Sequence, residues 1–259
     1  MAYFFVNILF FVLCLSRGVA DSIRIQLLYR PAQVSLNRYE QLFIADIEGN
    51  LYQYDTNLKL IQTFSPQKKS FPTILEAWET MRIFVFFQEL QEYVLLNRIL
   101  GQPENNRFRQ ENIHFVRAAT LSADGNLWLF DEIDFTLKKY QFSQKNILIA
   151  SPLDLTLLTP ETDIRFMREY QNKLFIAEKA HGILVFDNMG NYLETIPAKG
   201  VEWFSFYENS LIFKRESHWV VHHLYTHQEK NISAGNAIFM ILTSTKRIEI
   251  FDDCIKISF

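Results

Sequence analysis

The stretch "SADGNLWLFD", Ser122 to Asp131, can be read in two ways, and the choice decides the fold. Asp-Gly-Asn either opens a calcium loop or turns one strand back onto another. With Gly125 in the sixth position of an EF-hand loop, the oxygen ligands would fall on Thr120, Ser122, Asp124 and Asp131. The bidentate Glu that closes such a loop is missing. Asp-Gly between two alternating apolar runs signals a hairpin instead, and predicts a two-residue type I′ turn with positive φ at both central residues. Glu48-Gly49-Asn50 and His181-Gly182 occupy the same place beside other apolar runs. The stretch therefore reads as a strand pair, and no metal is expected.

Outward from this hairpin the pattern returns. "NLYQYD" (50–55), "EYVLLN" (92–97), "NLWLFD" (126–131), "GILVFD" (182–187) and "RIEIFD" (247–252) are short apolar strands closing on Asp or Asn. "WVVHH" (219–223) joins them with His222 in the aromatic position and His223 in place of the acid. Another strand precedes each: "QLFIAD" (41–46), "RIFVFF" (82–87), "ATLSAD" (119–124), "KLFIAE" (173–178), "SLIFKR" (210–215) and "AIFMIL" (237–242). Before four of these, Tyr39-Glu40, Trp78-Glu79, Tyr170-Gln171 and Tyr207-Glu208 mark the turn out of a leading strand. A last, amphipathic strand follows the acid, as in "LKLIQTF" (58–64), "TLKKYQF" (136–142) and "YLETIPA" (192–198). Its alternation implies one wet face.

The closing positions lie 42, 34, 56, 36 and 29 residues apart. A mean of about 40 is the length of one four-stranded propeller blade. The sequence thus predicts an all-β, nearly helix-free β-propeller of six four-stranded blades. The short last interval implies that the final blade lacks a strand. "SIRIQLLYR" (22–30) would supply it and close the ring, removing open edges. In the competing arrangement "CIKISF" (254–259) is the outer strand of that blade, and residues 22–30 form an extra edge.

Composition sets the compartment and excludes some partners. "MAYFFVNILFFVLCLSRGVA" reads as a signal peptide over residues 1–20, with a single N-terminal transmembrane anchor as the rival reading, and leaves 21–259 as a single propeller domain. No later apolar run reaches the ~20 residues that span a bilayer, so no membrane span is expected after signal removal. Cys254 is the one cysteine beyond that segment, and no intrachain disulfide can form. With 26 Lys and Arg against 29 Asp and Glu, no nucleic-acid surface is indicated. Phe is abundant at 24 copies and Gly sparse at 8, which favours packed strands over disorder.

The run "KLFIAEKAHGILVFDNMGNYLETI" (173–196), a strand, a turn, an aromatic-Asp strand, a Gly turn and an amphipathic strand, resembles the six-bladed β-propellers of the NHL, TolB and YncE-like group. The likeness covers roughly residues 23–259 and specifies architecture, because members of such families bind proteins, glycans or small molecules and some are enzymes. The chain departs from the pattern in its low glycine and in the two histidines of blade five.

Candidate sites follow from the ring. One residue from each leading strand, Asn37, Glu76, Arg117, Arg168 and Ser205, would line a central channel, where two arginines and a glutamate could hold an anionic or sugar ligand. Mutually paired charges are the plainer reading of that set. "LIASPLDLTLLTPETD" (148–163) is inserted in the longest interval, and its Leu153, Leu155, Leu157 and Leu158 suggest a loop that contacts a partner or a membrane; equally, the stretch could fold back as an extra strand or cover the propeller end. His218 and His222 lie roughly 13 Å apart along a strand, too far to share a metal. No local catalytic motif is present and no cofactor is expected. These features predict a non-catalytic, exported protein- or glycan-binding module of a bacterial envelope, in the periplasm or at the outer-membrane periphery. The alternative is a propeller enzyme, of glycan lyase or lactonase type, with a site in the channel.

Overall fold

A computed structural model describes residues 22–78, 81–108, 112–153, 162–233 and 235–259. The leader assigned to residues 1–20 lies outside the described residues. The apolar runs form strands, and the strands form six antiparallel four-stranded sheets. The innermost strands are Pro31–Leu36, Ile74–Glu76, Val116–Leu121, Ile164–Tyr170, Phe204–Tyr207 and Phe239–Leu242. Among the described residues there is no helix, hence none long and apolar enough to cross a membrane.

Burial explains the sequence pattern strand by strand. Second strands such as Leu42–Asp46 and Leu127–Asp131 are buried on both faces, so they read as unbroken apolar runs. Outermost strands such as Leu60–Phe64 and Glu229–Ser233 are largely exposed. The phenylalanines fill the wedges between blades. Phe108 packs on Phe86 and Tyr93 of blade two and on Tyr140 of blade three. Tyr170 stacks on Phe206 at 4.2 Å between blades four and five, and Trp203 meets Phe239 at 5.0 Å between blades five and six. Aromatic pairs of this kind add to area burial.

The ring closes through its ends. Ser22–Gln26 pairs antiparallel with Cys254–Ser258, Ser22 opposite Ser258, as the outermost strand of blade six. Both arrangements weighed for the termini hold an element of this: residues 22–26 seal the ring, and 254–258 also belong to the blade, as its third strand. Two blades are therefore shifted by one strand from the sequence reading. In blade six "AIFMIL" supplies the innermost strand and "RIEIFD" the second. In blade three "NLWLFD" supplies the second strand, Thr136–Gln141 the third and Asn146–Pro152 the outermost. The uneven intervals arise from comparing second strands with third strands. Residues 148–152 of the stretch read either as a contact loop or as an extra strand therefore belong to this outer strand.

The hairpins also correct the turn assignment. At Ser122 the backbone N–H of Gly125 bonds the Ser122 carbonyl at 2.9 Å and that of Ser122 bonds the Asn126 carbonyl at 2.8 Å. Gly125 has φ +81 while Asp124 is not in the left-handed region. This is a type I turn followed by one left-handed residue, the three-residue G1-bulge hairpin. The same pairing recurs at Asn37, Asp46, Asp55, Asn97 and Asp187. At those five places the side-chain oxygen also accepts the N–H groups two and four residues on. Glu40, Leu58 and Leu100 hold left-handed slots, at φ +57, +58 and +57, that glycine would usually fill. The scarcity of glycine follows from that substitution. The type I′ geometry occurs instead at Gln171-Asn172, both with positive φ, between paired Tyr170 and Lys173.

Candidate functional site

Two residues before the turn of each innermost strand, side chains face the axis. Ser35, Glu76, Thr120, Arg168, Ser205 and Ile241 occupy those positions, and all are buried. Arg168 reaches from blade four across the axis. Its Nε donates to Glu76 Oε2 in blade two, and its Nη2 donates to Ser35 Oγ in blade one at 3.1 Å. Glu76 Oε1 accepts the Trp78 N–H at 2.7 Å, and Ser35 Oγ accepts the Ala77 N–H at 3.0 Å. Ser205 Oγ donates to the Met240 carbonyl at 2.9 Å. The ion pair and its satellites form a plug in which the two opposite charges meet each other, as a buried pair requires, while the Thr120 hydroxyl at the same level has no hydrogen-bond partner.

The plug separates two openings. On the lower face, where innermost strands end, a cavity of about 370 Å³ is lined by Arg38, Glu76, Trp78, Glu169 and Tyr170 among others. Glu169 is held there by Ser122 Oγ at 2.6 Å, Trp128 Nε1 at 2.7 Å and the Ala123 N–H at 3.0 Å. On the upper face, where innermost strands begin, all six blades contribute to a funnel of about 760 Å³. Register shifts at Ala32, Arg117 and Arg165 place β-bulges at the start of three innermost strands. A bulge re-aims the extra side chain, and these three residues line the funnel. Arg117 Nη2 donates to Asp163 Oδ1 at 2.7 Å, and Arg165 pairs with the other oxygen of the same carboxylate. Lys214 donates to the Ala237 carbonyl at 3.1 Å and lies 6.0 Å over the Trp219 ring. Trp203 stands at the funnel floor and also borders the space beside Arg168.

Two other clusters are structural. Asp131 is fully buried and accepts the N–H groups of His114, Phe115 and Ile133 together with Lys138 Nζ at 2.7 Å. Burial alone would raise its carboxyl pKa, but those donors outweigh it and hold the group below the usual range. His114, Asp131 and Asp134 form the one set with metal-ligand spacing among the described residues. The Lys138 ammonium bonds both carboxylates, so the cation there is the chain's own. In blade five, His223 Nδ1 accepts the N–H groups of Tyr225 and Thr226, which is the capping part that Asp plays elsewhere. His222 is buried with Nδ1 3.2 Å from Glu229, and its ring lies 5.5 Å from that of His227.

Of the five channel residues expected from sequence, Glu76, Arg168 and Ser205 gather at the axis. Asn37 does not: its side chain caps its own turn, and Ser35, two residues earlier on the same face, takes the axial place. Arg117 sits at the opposite end, on its bulge. Counting back from the turn missed Ser35 because Asn37 is itself the first turn residue. Leu153 is buried at 6% exposure in the core, so it offers no partner surface. Leu155, Leu157 and Leu158 lie outside the described residues.

No protein-family model matches the chain, and no curated protein matches it in sequence. Solved structures do share its fold. A catalytically inactive virginiamycin B lyase from Staphylococcus aureus with quinupristin superposes at TM-score 0.67 and 9% identity, over 92% of this chain and 99% of that one. The extracellular domain of the putative one component system BT4673 from B. thetaiotaomicron gives TM-score 0.61 at 11% identity, over 88% of this chain and 33% of that one. The Cps50 (Swd1) β-propeller domain of Myceliophteria thermophila gives 0.64 at 10% identity, over 92% and 98%. Identities this low show the propeller architecture and nothing finer.

Proposed function

We propose that the chain is a non-catalytic binding module, a rigid ring that presents its loops and upper funnel to a protein or glycan of a bacterial envelope. The observation that carries this reading is the plug: Glu76 and Arg168, the axial acid and base, are spent on each other and on Ser35. A general acid needs a proton to give and a general base an unengaged lone pair; Glu76, though it borders the lower cavity, has its two oxygens engaged by Arg168 and the Trp78 N–H. The apolar leader read at residues 1–20 supports export to the periplasm or outer-membrane periphery, and the strand pattern of residues 173–196 supports kinship with the NHL, TolB and YncE-like propellers.

The second reading, a propeller enzyme of lyase or lactonase type, draws support from the likeness in fold to a lyase. One experiment separates the two. Envelope glycans and peptides are incubated with the protein and with Glu76→Gln, then bound ligand is quantified and its mass determined. The binding reading expects retention of ligand with unchanged mass. A product that appears with the parent protein and is lost in Glu76→Gln would overturn it.

A further inference from the structure

We infer that residues 22–26 form a releasable latch: the strand leaves the Cys254–Ser258 edge and returns to it while the rest of the ring stays folded, so blade six is where the propeller opens. The inference is independent of the binding reading. Each of the other outermost strands follows the strand it pairs with after one turn, whereas Ser22–Gln26 meets its partner from the far end of the chain. It is anchored at one end. Leu27 is buried and its N–H donates to the Asp253 carbonyl at 2.7 Å. Tyr29 stacks on Tyr52 at 3.7 Å, and its hydroxyl bonds that of Tyr54 at 2.6 Å. The chain is therefore fixed from Leu27 onward, and the strand before it can peel from the Ser22 side.

The grip of the strand itself is slight. Four of its five residues are exposed, and Ile25 alone is half-buried against the core. Gln26 Nε2 donates to Asp253 Oδ2 at 3.4 Å, and Arg24 stands 3.7 Å from the same carboxylate with both side chains in solvent, where such pairs hold little. Directly across the ladder Arg24 faces Lys256, and like charges in that position destabilise. The acid beside Lys256 is Glu249, 3.9 Å away on the other neighbouring strand. A five-residue ladder with so few side-chain anchors opens at a lower free energy than the ring unfolds.

Cys254 reports the latch. It lies opposite Gln26, is buried at 1% exposure, and is the free cysteine among the described residues. The Arg24 guanidinium and the Asp253 carboxylate border its thiol. Burial, followed by the bond to Asp253, pushes the thiol up from its usual range, so little reactive thiolate exists while the strand is in place.

Labelling of the full chain with N-ethylmaleimide, the Cys254 peptide being quantified by mass, measures release. Tryptophan fluorescence in urea measures unfolding of the ring, since Trp78, Trp128, Trp203 and Trp219 lie outside blade six. Without urea Cys254 is expected to react at least about a hundredfold faster than ring unfolding allows. Low urea should hardly change that rate, because releasing a short exposed strand uncovers little surface. Ile25→Ala should speed labelling about tenfold and leave the fluorescence midpoint at the parent value. Ser22→Cys with Ser258→Cys puts thiols on directly opposed residues, about 4.5–5.5 Å apart at Cα, within reach of a disulfide. Its oxidised form should label Cys254 at least about tenfold more slowly than its reduced form. Labelling that appears only as the fluorescence changes, with the same urea dependence, would overturn the latch. So would Ile25→Ala labelling at the parent rate, or an oxidised double variant labelling as fast as the reduced one.

Discussion

Removing Arg168 should unfold the ring far more easily than its single ion pair suggests. Glu76 is 3% exposed and Arg168 is 6% exposed, so Arg168→Met leaves a buried carboxylate without its cation. Breaking a buried pair from one side typically costs about 3–5 kcal/mol. The lower value applies, because Glu76 Oε1 keeps the Trp78 N–H at 2.7 Å and Ser35 Oγ keeps the Ala77 N–H. At about 2–4 °C per kcal/mol for a chain of this size, a loss of about 3 kcal/mol lowers the melting temperature by about 9 °C. Glu76→Leu alone should cost a similar amount by leaving the guanidinium with Ser35 and one carbonyl. The double variant, Glu76→Leu with Arg168→Met, removes both charges and should return to within about 1 kcal/mol of the parent. Urea unfolding followed by tryptophan fluorescence measures all four proteins. If Arg168→Met matches the parent, or if the double variant shows the summed loss, the plug is not a buried pair and the account of the axis fails.

Other expectations follow from the turns and the closure. Gly182 has φ +134, and a Cβ there would meet the Ile196 carbonyl oxygen at 2.3 Å, so Gly182→Ala should cost about 3 kcal/mol or more. Gly125 has φ +81 with open space around it, and Gly125→Ala should cost only about 1 kcal/mol; equal losses in the two would contradict the turn geometry. Asp131 and Glu178 have carboxyls held below their usual range, since donated hydrogen bonds outweigh the burial that would raise them. A folded pKa below the unfolded one gives stability that is present above pH ~4 and lost as pH falls through the folded value. Asp131→Asn should therefore destabilise by about 2 kcal/mol at neutral pH and flatten the acid limb of a stability–pH curve, whereas an unchanged limb would place the acid sensitivity elsewhere. Deleting residues 22–26 should expose the Cys254–Ser258 edge and produce aggregates on size-exclusion chromatography. A monodisperse truncated ring would show that the edge needs no cover.

The propeller was legible because second strands are buried on both faces and third strands end at a capping Asp or Asn, two local rules that repeat. The shift of strands in blades three and six was not, because Asp131 ends a second strand yet looks like the closing acid of "GILVFD". Its role differs: it gathers the His114 and Phe115 N–H groups from the preceding loop, a contact between residues distant in the chain. Glu76 and Arg168 were found because charges in otherwise apolar strands stand out. Ser35 and Trp203 carried no such mark. Their importance comes from convergence of separate blades on one axis, and a linear reading sees each blade alone. The bulges that turn Arg117 and Arg165 toward the funnel leave no trace in the alternation of such short strands.

The strand that completes the last blade is the earliest in the chain among the described strands. Residues 22–26 wait without a partner until 254–258 have been synthesised, so no circle exists while translation proceeds. A chain built this way stays threadable until residues 254–258 appear, and locking is one late event that joins two strands far apart in the sequence. Such distant pairing makes folding slow, because the ring locks only when two strands more than two hundred residues apart in the chain have met.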